Sequence, residues 1–176
     1  MRRNAVGFTL IELATTASVL AICAGVAAPS LGRFVEGQRT LAATSSLTTH
    51  MALARMAAIT HRRPTVLCPS SNGEGCDAGT DWSGGWMLFL DPNGNRRRDP
   101  GEDILRVDTD PTSRHLAVSS TSGRPALRYL PDGRAAGSNL TVSVCSKRGE
   151  LLGQVIVNNA GRPRSLRPKA ATPCPA

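Results

Sequence analysis

Phe8 to Leu31 is a mostly apolar stretch interrupted by one charge, the carboxylate of Glu12. Beyond it the apolar residues narrow to one face. Leu47, Met51, Ala54 and Ala58 recur at spacings of four, three and four, which is the stripe of an amphipathic helix. The two patterns join without a break, so a single helix is predicted from Phe8 to about Thr60. Gly25, Pro29, Gly32 and Gly37 make its first half bendable. Arg62-Arg63-Pro64 stops it, because proline disfavours helical geometry in the residue before it. Met51 and Met56 on this helix read as core filler.

After Pro64 the pattern changes to short alternating runs at 65–68, 85–90, 104–107, 115–119, 126–130, 140–145 and 154–158, which read as strands. Asn93-Gly94, Ser122-Gly123, Asp132-Gly133 and Lys147-Arg148-Gly149 supply turns between them, and Gly84-Gly85 is a bend before Trp86. The order predicts an α+β fold: a long, kinked N-terminal helix packed on an antiparallel β-sheet head.

At 176 residues the chain is one domain, and 40% apolar with 3% aromatic residues implies a modest aliphatic core. The formal charge is +8, with 19 of the 21 basic side chains arginine, the residue suited to bidentate phosphate contacts. Their placement says more than their number. Arg2 and Arg3 precede the apolar run and orient it with its N-terminus in the cytoplasm. As a helix, Phe8 to Leu31 is about 36 Å long, enough to cross a hydrocarbon core of about 30 Å. A secretory signal peptide fits poorly, since Glu12 lies inside the run and Pro29 follows the small-residue site Val26-Ala27-Ala28. An unpaired carboxylate in lipid costs about 2.5 to 3.5 kcal/mol on insertion scales, so Glu12 needs a partner or a task.

Gly7-Phe8-Thr9-Leu10-Ile11-Glu12-Leu13 resembles the processing motif of type IV pilins and pseudopilins. The resemblance implies cleavage by a prepilin peptidase between Gly7 and Phe8, methylation of the new amine, and pairing of Glu12 with the N-terminal amine of a neighbouring subunit. Pro29 stands where pilins carry a helix-kinking proline. These expectations divide the chain into a leader at 1–7, a transmembrane half-helix at 8–32, an amphipathic half-helix at 33–62 and a β-rich head at 63–176. They also place the protein as a single-pass inner-membrane component with a periplasmic head, reaching the pilus or cell surface after assembly with other pilin subunits.

Cys23 lies in the membrane helix, which leaves Cys68, Cys76, Cys145 and Cys174 where thiols can oxidise. Four cysteines allow three connectivities. Pairing of neighbours, Cys68–Cys76 and Cys145–Cys174, is favoured because it closes one tight polar loop and one loop around the last strand and basic tail. Each bridge would contribute about 2.5 to 3.5 kcal/mol on the chain-entropy model.

No nucleophile, base and orienting group assemble, and His50, His61 and His115 lack ligand-spaced partners, so the chain reads as a non-enzyme without cofactor. Asp91, Asn93, Asn95, Asp99 and Glu102 imitate the oxygen spacing of a calcium loop. Arg96 replaces the turn glycine, no helices flank the segment, and Arg96-Arg97-Arg98 would crowd a cation. A polar hairpin loop is therefore the favoured reading over a calcium site.

The clearest charge cluster is Gly161-Arg162-Pro163-Arg164-Ser165-Leu166-Arg167-Pro168-Lys169, which follows the last predicted strand with no acid after Glu150. Gly161 permits a turn, and Pro163 and Pro168 stiffen an extended loop suited to a phosphate backbone. The whole chain resembles the FimT/GspH class of minor pilins and pseudopilins. The resemblance rests on the N-terminal motif, the Cys68/Cys76 loop before Trp82 and Trp86, the Phe89-to-Asn95 segment and the Gly161-Arg162-x-Arg164 motif. In FimT-type members it implies non-specific binding of double-stranded DNA through Gly161, Arg162 and Arg164 during natural transformation, with Arg167 and Lys169 added by proximity. The alternative is a structural pseudopilin of type II secretion, or a subunit that primes pilus assembly, without DNA binding.

Overall fold

The computed structural model describes residues 9–109, 115–137 and 139–175, except the side chain of residue 29. Gly7 and Phe8, the predicted processing site, lie outside the described residues. Helix α1 runs from Leu10 to His61, unbroken through position 29. Its start carries a capping box that the apolar pattern concealed. The Glu12 amide donates to Thr9 Oγ1 (3.3 Å), while Glu12 Oε2 accepts the Thr9 amide (2.9 Å) and hydroxyl (2.8 Å). Arg62 ends the helix in the left-handed region at φ 52°, with its amide donating to the Ile59 carbonyl.

Two compact units divide at Glu36/Gly37. In the first, the helix is apolar on all sides, and Leu10, Ile11, Leu13, Leu20 and Val26 are exposed. It is long and apolar enough to cross a membrane.

Among the described residues, the second unit, Gly37–Ala176, contains the rest of α1 and eight strands. These are β1 (Thr65–Pro69), β2 (Gly85–Leu90), β3 (Ile104–Thr109), β4 (Leu116–Ser120), β5 (Leu127–Tyr129), β6 (Leu140–Ser146), β7 (Leu151–Val157) and β8 (Pro163–Leu166). They form two antiparallel sheets, ordered β3-β2-β1-β5 and β4-β6-β7-β8. The stripe Leu47, Met51, Ala54 and Ala58 is fully buried against Leu67, Trp86 and Leu88 of the first sheet and Val142, Val144, Val155 and Val157 of the second. Met56 is 64% exposed, so the core-filler reading holds for Met51 and fails for Met56.

Strand β7 begins at Leu151, three residues before the alternation suggested, because Gly153 hides it. Any Cβ at Gly153 would lie 3.0 Å from Thr44 and 3.3 Å from Thr40, so this glycine makes room for the helix against β7. The other departure is larger. The segment expected to be an extended basic loop forms β8, an edge strand in which Pro163 takes the first position, where a missing amide donor is tolerated.

Candidate nucleic-acid interface

The turn between β7 and β8 is held from beneath. Gly161 is buried at φ 76°, and its amide donates to the Asn158 carbonyl at 2.8 Å. A Cβ here would collide with the carbonyl oxygen of Gly133 and lie 3.0 Å from Tyr129 Cε1. The same Gly133 carbonyl accepts Arg55 Nε from the helix at 2.9 Å, and the Ala135 amide donates to the Asn159 carbonyl at 3.2 Å. Helix, β5–β6 loop and β7–β8 turn are thus joined at one point, where only glycine fits.

From that point Arg162 and Arg164 project with their Cα atoms about 7 Å apart along an extended chain. Arg164 sits opposite Ile156, which in turn sits opposite Thr141, and Leu166 lies opposite Gln154 and, across it, Ser143. Opposed residues share a face, so Arg164 stands on the side of the sheet away from the buried Val155 and Val157. No carboxylate occurs among those face residues. Arg162, Arg164, Arg167 and Lys169 are all exposed, and among the described residues no carboxylate lies within ion-pair distance of them.

The four cations do not form one cluster. Arg167 turns its guanidinium toward the helix, 3.5 Å from where a Gly37 Cβ would stand, and lines a cleft of about 260 Å³ with Thr40, Leu41, Thr44 and Leu166. Arg167 also borders a second, shallow cleft, which it shares with Lys169 and Glu150. Arg162 and Arg164 are exposed outside both clefts. Beyond them the tail returns to the β6–β7 turn. The Leu151 amide donates to the Thr172 carbonyl and the Cys174 amide to the Gly149 carbonyl, both at 2.8 Å, and Cys174 is bonded to Cys145. The second bridge joins Cys68 to Cys76.

The Asp91-to-Glu102 loop spends most of its side-chain oxygens on itself, leaving Asp91 Oδ1 and Glu102 Oε1 buried without a hydrogen-bond partner. Asp99 Oδ2 accepts both side-chain amides of Asn93 (2.7 Å) and Asn95 (2.6 Å), so those residues direct nitrogen at the central carboxylate. The Asn93 and Asn95 oxygens take the Asn95 and Arg97 amides, and Glu102 Oε2 takes the Asp99 amide. Asp91 is buried, accepts the Arg96 amide at 3.2 Å and lies 3.7 Å from Arg128. Among the described residues no group of three or more His, Cys, Asp or Glu is placed to hold a metal.

One constellation escaped the sequence reading. His50 Nδ1 accepts the indole N–H of Trp86 at 2.9 Å, which places the imidazole proton on Nε2. Asp108 Oδ2 lies 3.7 Å from the same nitrogen and accepts the Ser46 hydroxyl at 2.9 Å. Burial holds the His50 pKa below its ordinary value, with Asp108 opposing that shift and Arg106 adding to it. The contact spans 36 residues of sequence, so only the i, i+4 spacing of Ser46 and His50 hinted at it.

Residues 43–161 match the family model described as Type II transport protein GspH, and this segment holds the whole helix stripe, both sheets' cores and Gly161. The chain belongs to the GspH family. Over 170 residues it is 31% identical to the pilin-like protein PilA1 of Thermus thermophilus, covering 90% of this chain and 96% of that one. The fold is that of the minor pilins. The type IV minor pilin FimU of Pseudomonas aeruginosa superposes with TM-score 0.60 at 18% identity, covering 79% of this chain and 96% of FimU. The solution structure of E. coli GspH gives 0.52 at 14% identity, covering 74% and 89%. This GspH-family chain is a minor pilin or pseudopilin, a membrane-anchored structural component that assembles with other pilin subunits.

Proposed function

We propose that this minor pilin binds double-stranded DNA without sequence preference through Arg162 and Arg164, in uptake during natural transformation. The observation that carries the reading is the pair of exposed arginines, free of ion pairs among the described residues, on a glycine-locked turn beside the β6 and β7 face residues Thr141, Ser143, Gln154 and Ile156, none of them acidic. Arginine donates a planar fork of N–H groups to phosphate oxygens, and each neutralised phosphate releases condensed counterions. A turn already fixed by Gly161 and the Cys145–Cys174 bridge loses little conformational freedom on binding. With Arg167 and Lys169 flanking, about four phosphate contacts give a log-log salt slope near −3.6 and micromolar or weaker affinity. Several copies in a filament then supply avidity.

The remaining parts serve assembly. Prepilin peptidase removes residues 1–7, residues 8–32 hold the subunit in the inner membrane with the head in the periplasm, and residues 33–62 carry the head at 63–176. Glu12 exchanges its capping bonds to Thr9 for the N-terminal amine of a neighbouring subunit. A second reading, a pseudopilin of type II secretion without DNA binding, draws on the description of the matching family. Transformation frequency separates the two. Arg162→Ala/Arg164→Ala should lower transformation with piliation intact, whereas normal transformation with lost assembly or secretion would favour the second reading.

A further inference from the structure

The first sheet has a second buried face, away from the helix, formed by Val66, Cys68, Met87 and Phe89 with Ala126 packed against them. Three loops rise around it and leave a groove of about 660 Å³. Its floor is apolar, from Val66, Ala126 and the Cys68–Cys76 bridge, and its walls carry Arg96, Arg97, Arg124 and Arg128. Among the described lining residues the one carboxylate, Asp77, already accepts the Ser71 amide at 2.7 Å, and behind the wall the buried Asp91 lies 3.7 Å from Arg128. Guanidinium groups donate and cannot accept, so these walls suit a ligand whose polar atoms only accept, as phosphate oxygens do. A peptide segment would also need acceptors for its own N–H groups.

Arg96 strengthens the case. It stands at φ 64°, a left-handed conformation that strains a side-chain-bearing residue and that glycine adopts freely. The backbone holds it there through the Arg96 amide on Asp91 Oδ2, and the next amide, of Arg97, donates to Asn95 Oδ1 at 2.7 Å. The loop thus keeps arginine at a place where local conformation favours glycine, and presents Arg96 and Arg97 exposed, with no ion-pair partner among the described residues.

The groove also adjoins the Arg162 turn. The Ala136 amide donates to the Arg128 carbonyl at 2.8 Å and the Ala135 amide to the Asn159 carbonyl, so β5, residues 134–136 and the β7–β8 turn lie side by side. Two backbone spacings of about 4.8 Å put the groove's Arg128 edge about 10 Å from Asn159. We infer that Arg96, Arg97, Arg124 and Arg128 form a second phosphate-binding site, over which the DNA backbone bound at Arg162 and Arg164 continues across the outer face of the first sheet. The inference rests on the DNA-binding reading and extends its footprint.

The test measures duplex affinity against salt by fluorescence anisotropy, using the full chain in non-ionic detergent micelles. Arg96→Gly relieves the strained conformation, so it should raise Tm and still make the salt slope shallower by about 0.9. Arg96→Gly/Arg97→Ala should make it shallower by about 1.8, and Arg96→Lys/Arg97→Lys should restore it. An unchanged slope in both the glycine and double variants, with Arg162→Ala/Arg164→Ala still weakening binding, overturns the second site alone. Unchanged slopes in all of them overturn both readings. Loss of a labelled oligoglutamate peptide, with DNA binding intact, would make the groove a peptide site and also overturn the inference.

Discussion

Gly161 lies so close to the Gly133 carbonyl oxygen that no Cβ fits between them, which fixes the turn presenting Arg162 and Arg164 to the β5–β6 loop. Gly161→Ala therefore combines a steric clash with a left-handed φ, and should destabilise the head by about 1 to 3 kcal/mol. It removes no charge. Reduced DNA affinity at a temperature where the variant remains folded, checked by circular dichroism and anisotropy together, would tie binding to the geometry of the turn as well as to its charge. Unaltered affinity would show that charge alone suffices.

His50 and Trp86 give a pH dependence with a defined sign. The imidazole is surrounded by Ser46 from α1, Trp86 from β2, and Asp108 and Arg106 from β3, and its folded pKa lies below the ordinary value of 6.5. The unfolded chain therefore binds the proton first as pH falls. Stability should be full above about pH 6.5, decline as pH drops toward the lowered folded value, and level off for this group below it. His50→Gln, which retains an acceptor but does not titrate, should flatten that part of a Tm-against-pH curve. His50→Leu strands the buried indole N–H and should cost about 1 to 3 kcal/mol at any pH.

The Cys145–Cys174 bridge ties the tail to β6 across a sequence separation of 29 residues. Replacing both by serine should lower stability by about 3.5 kcal/mol on the chain-entropy model and release residues after β8. Trypsin should then cut after Lys169, and DNA affinity should fall less than in the Arg162/Arg164 double variant. Protease resistance equal to the parent would show that the backbone bonds to Gly149 and Leu151 hold the tail without the bridge.

Asp91, Asn93, Asn95, Asp99 and Glu102 should give no heat with millimolar calcium, because the Asn93 and Asn95 amides occupy Asp99 and the loop's own N–H groups occupy the side-chain oxygens of Asn93 and Asn95. A saturable calorimetric signal would contradict that account.

The elements with a regular period were legible before the structure. Helix α1 and strands β1 to β7 follow from apolar spacing and turn glycines, since those signals are local. The division into two sheets was not legible, because pairing β1 with β5 and β4 with β6 depends on contacts distant in sequence. Strand β8 carries little local signal because Pro163, Arg164 and Ser165 have little β-propensity, and its pairing with β7 supplies what they lack. Within the candidate site, Gly161, Arg162 and Arg164 stand out in sequence as glycine and charge. The rotation of Arg167 toward Gly37, and the Arg96–Arg97 groove, depend on three-dimensional packing alone.

The most direct test of DNA binding at the β7–β8 turn is the salt dependence of duplex affinity for the full chain and for Arg162→Ala/Arg164→Ala. Loss of two phosphate contacts predicts weaker binding at every salt concentration and a log-log slope shallower by about 1.8. Equal affinity and an unchanged slope in the two proteins would contradict it.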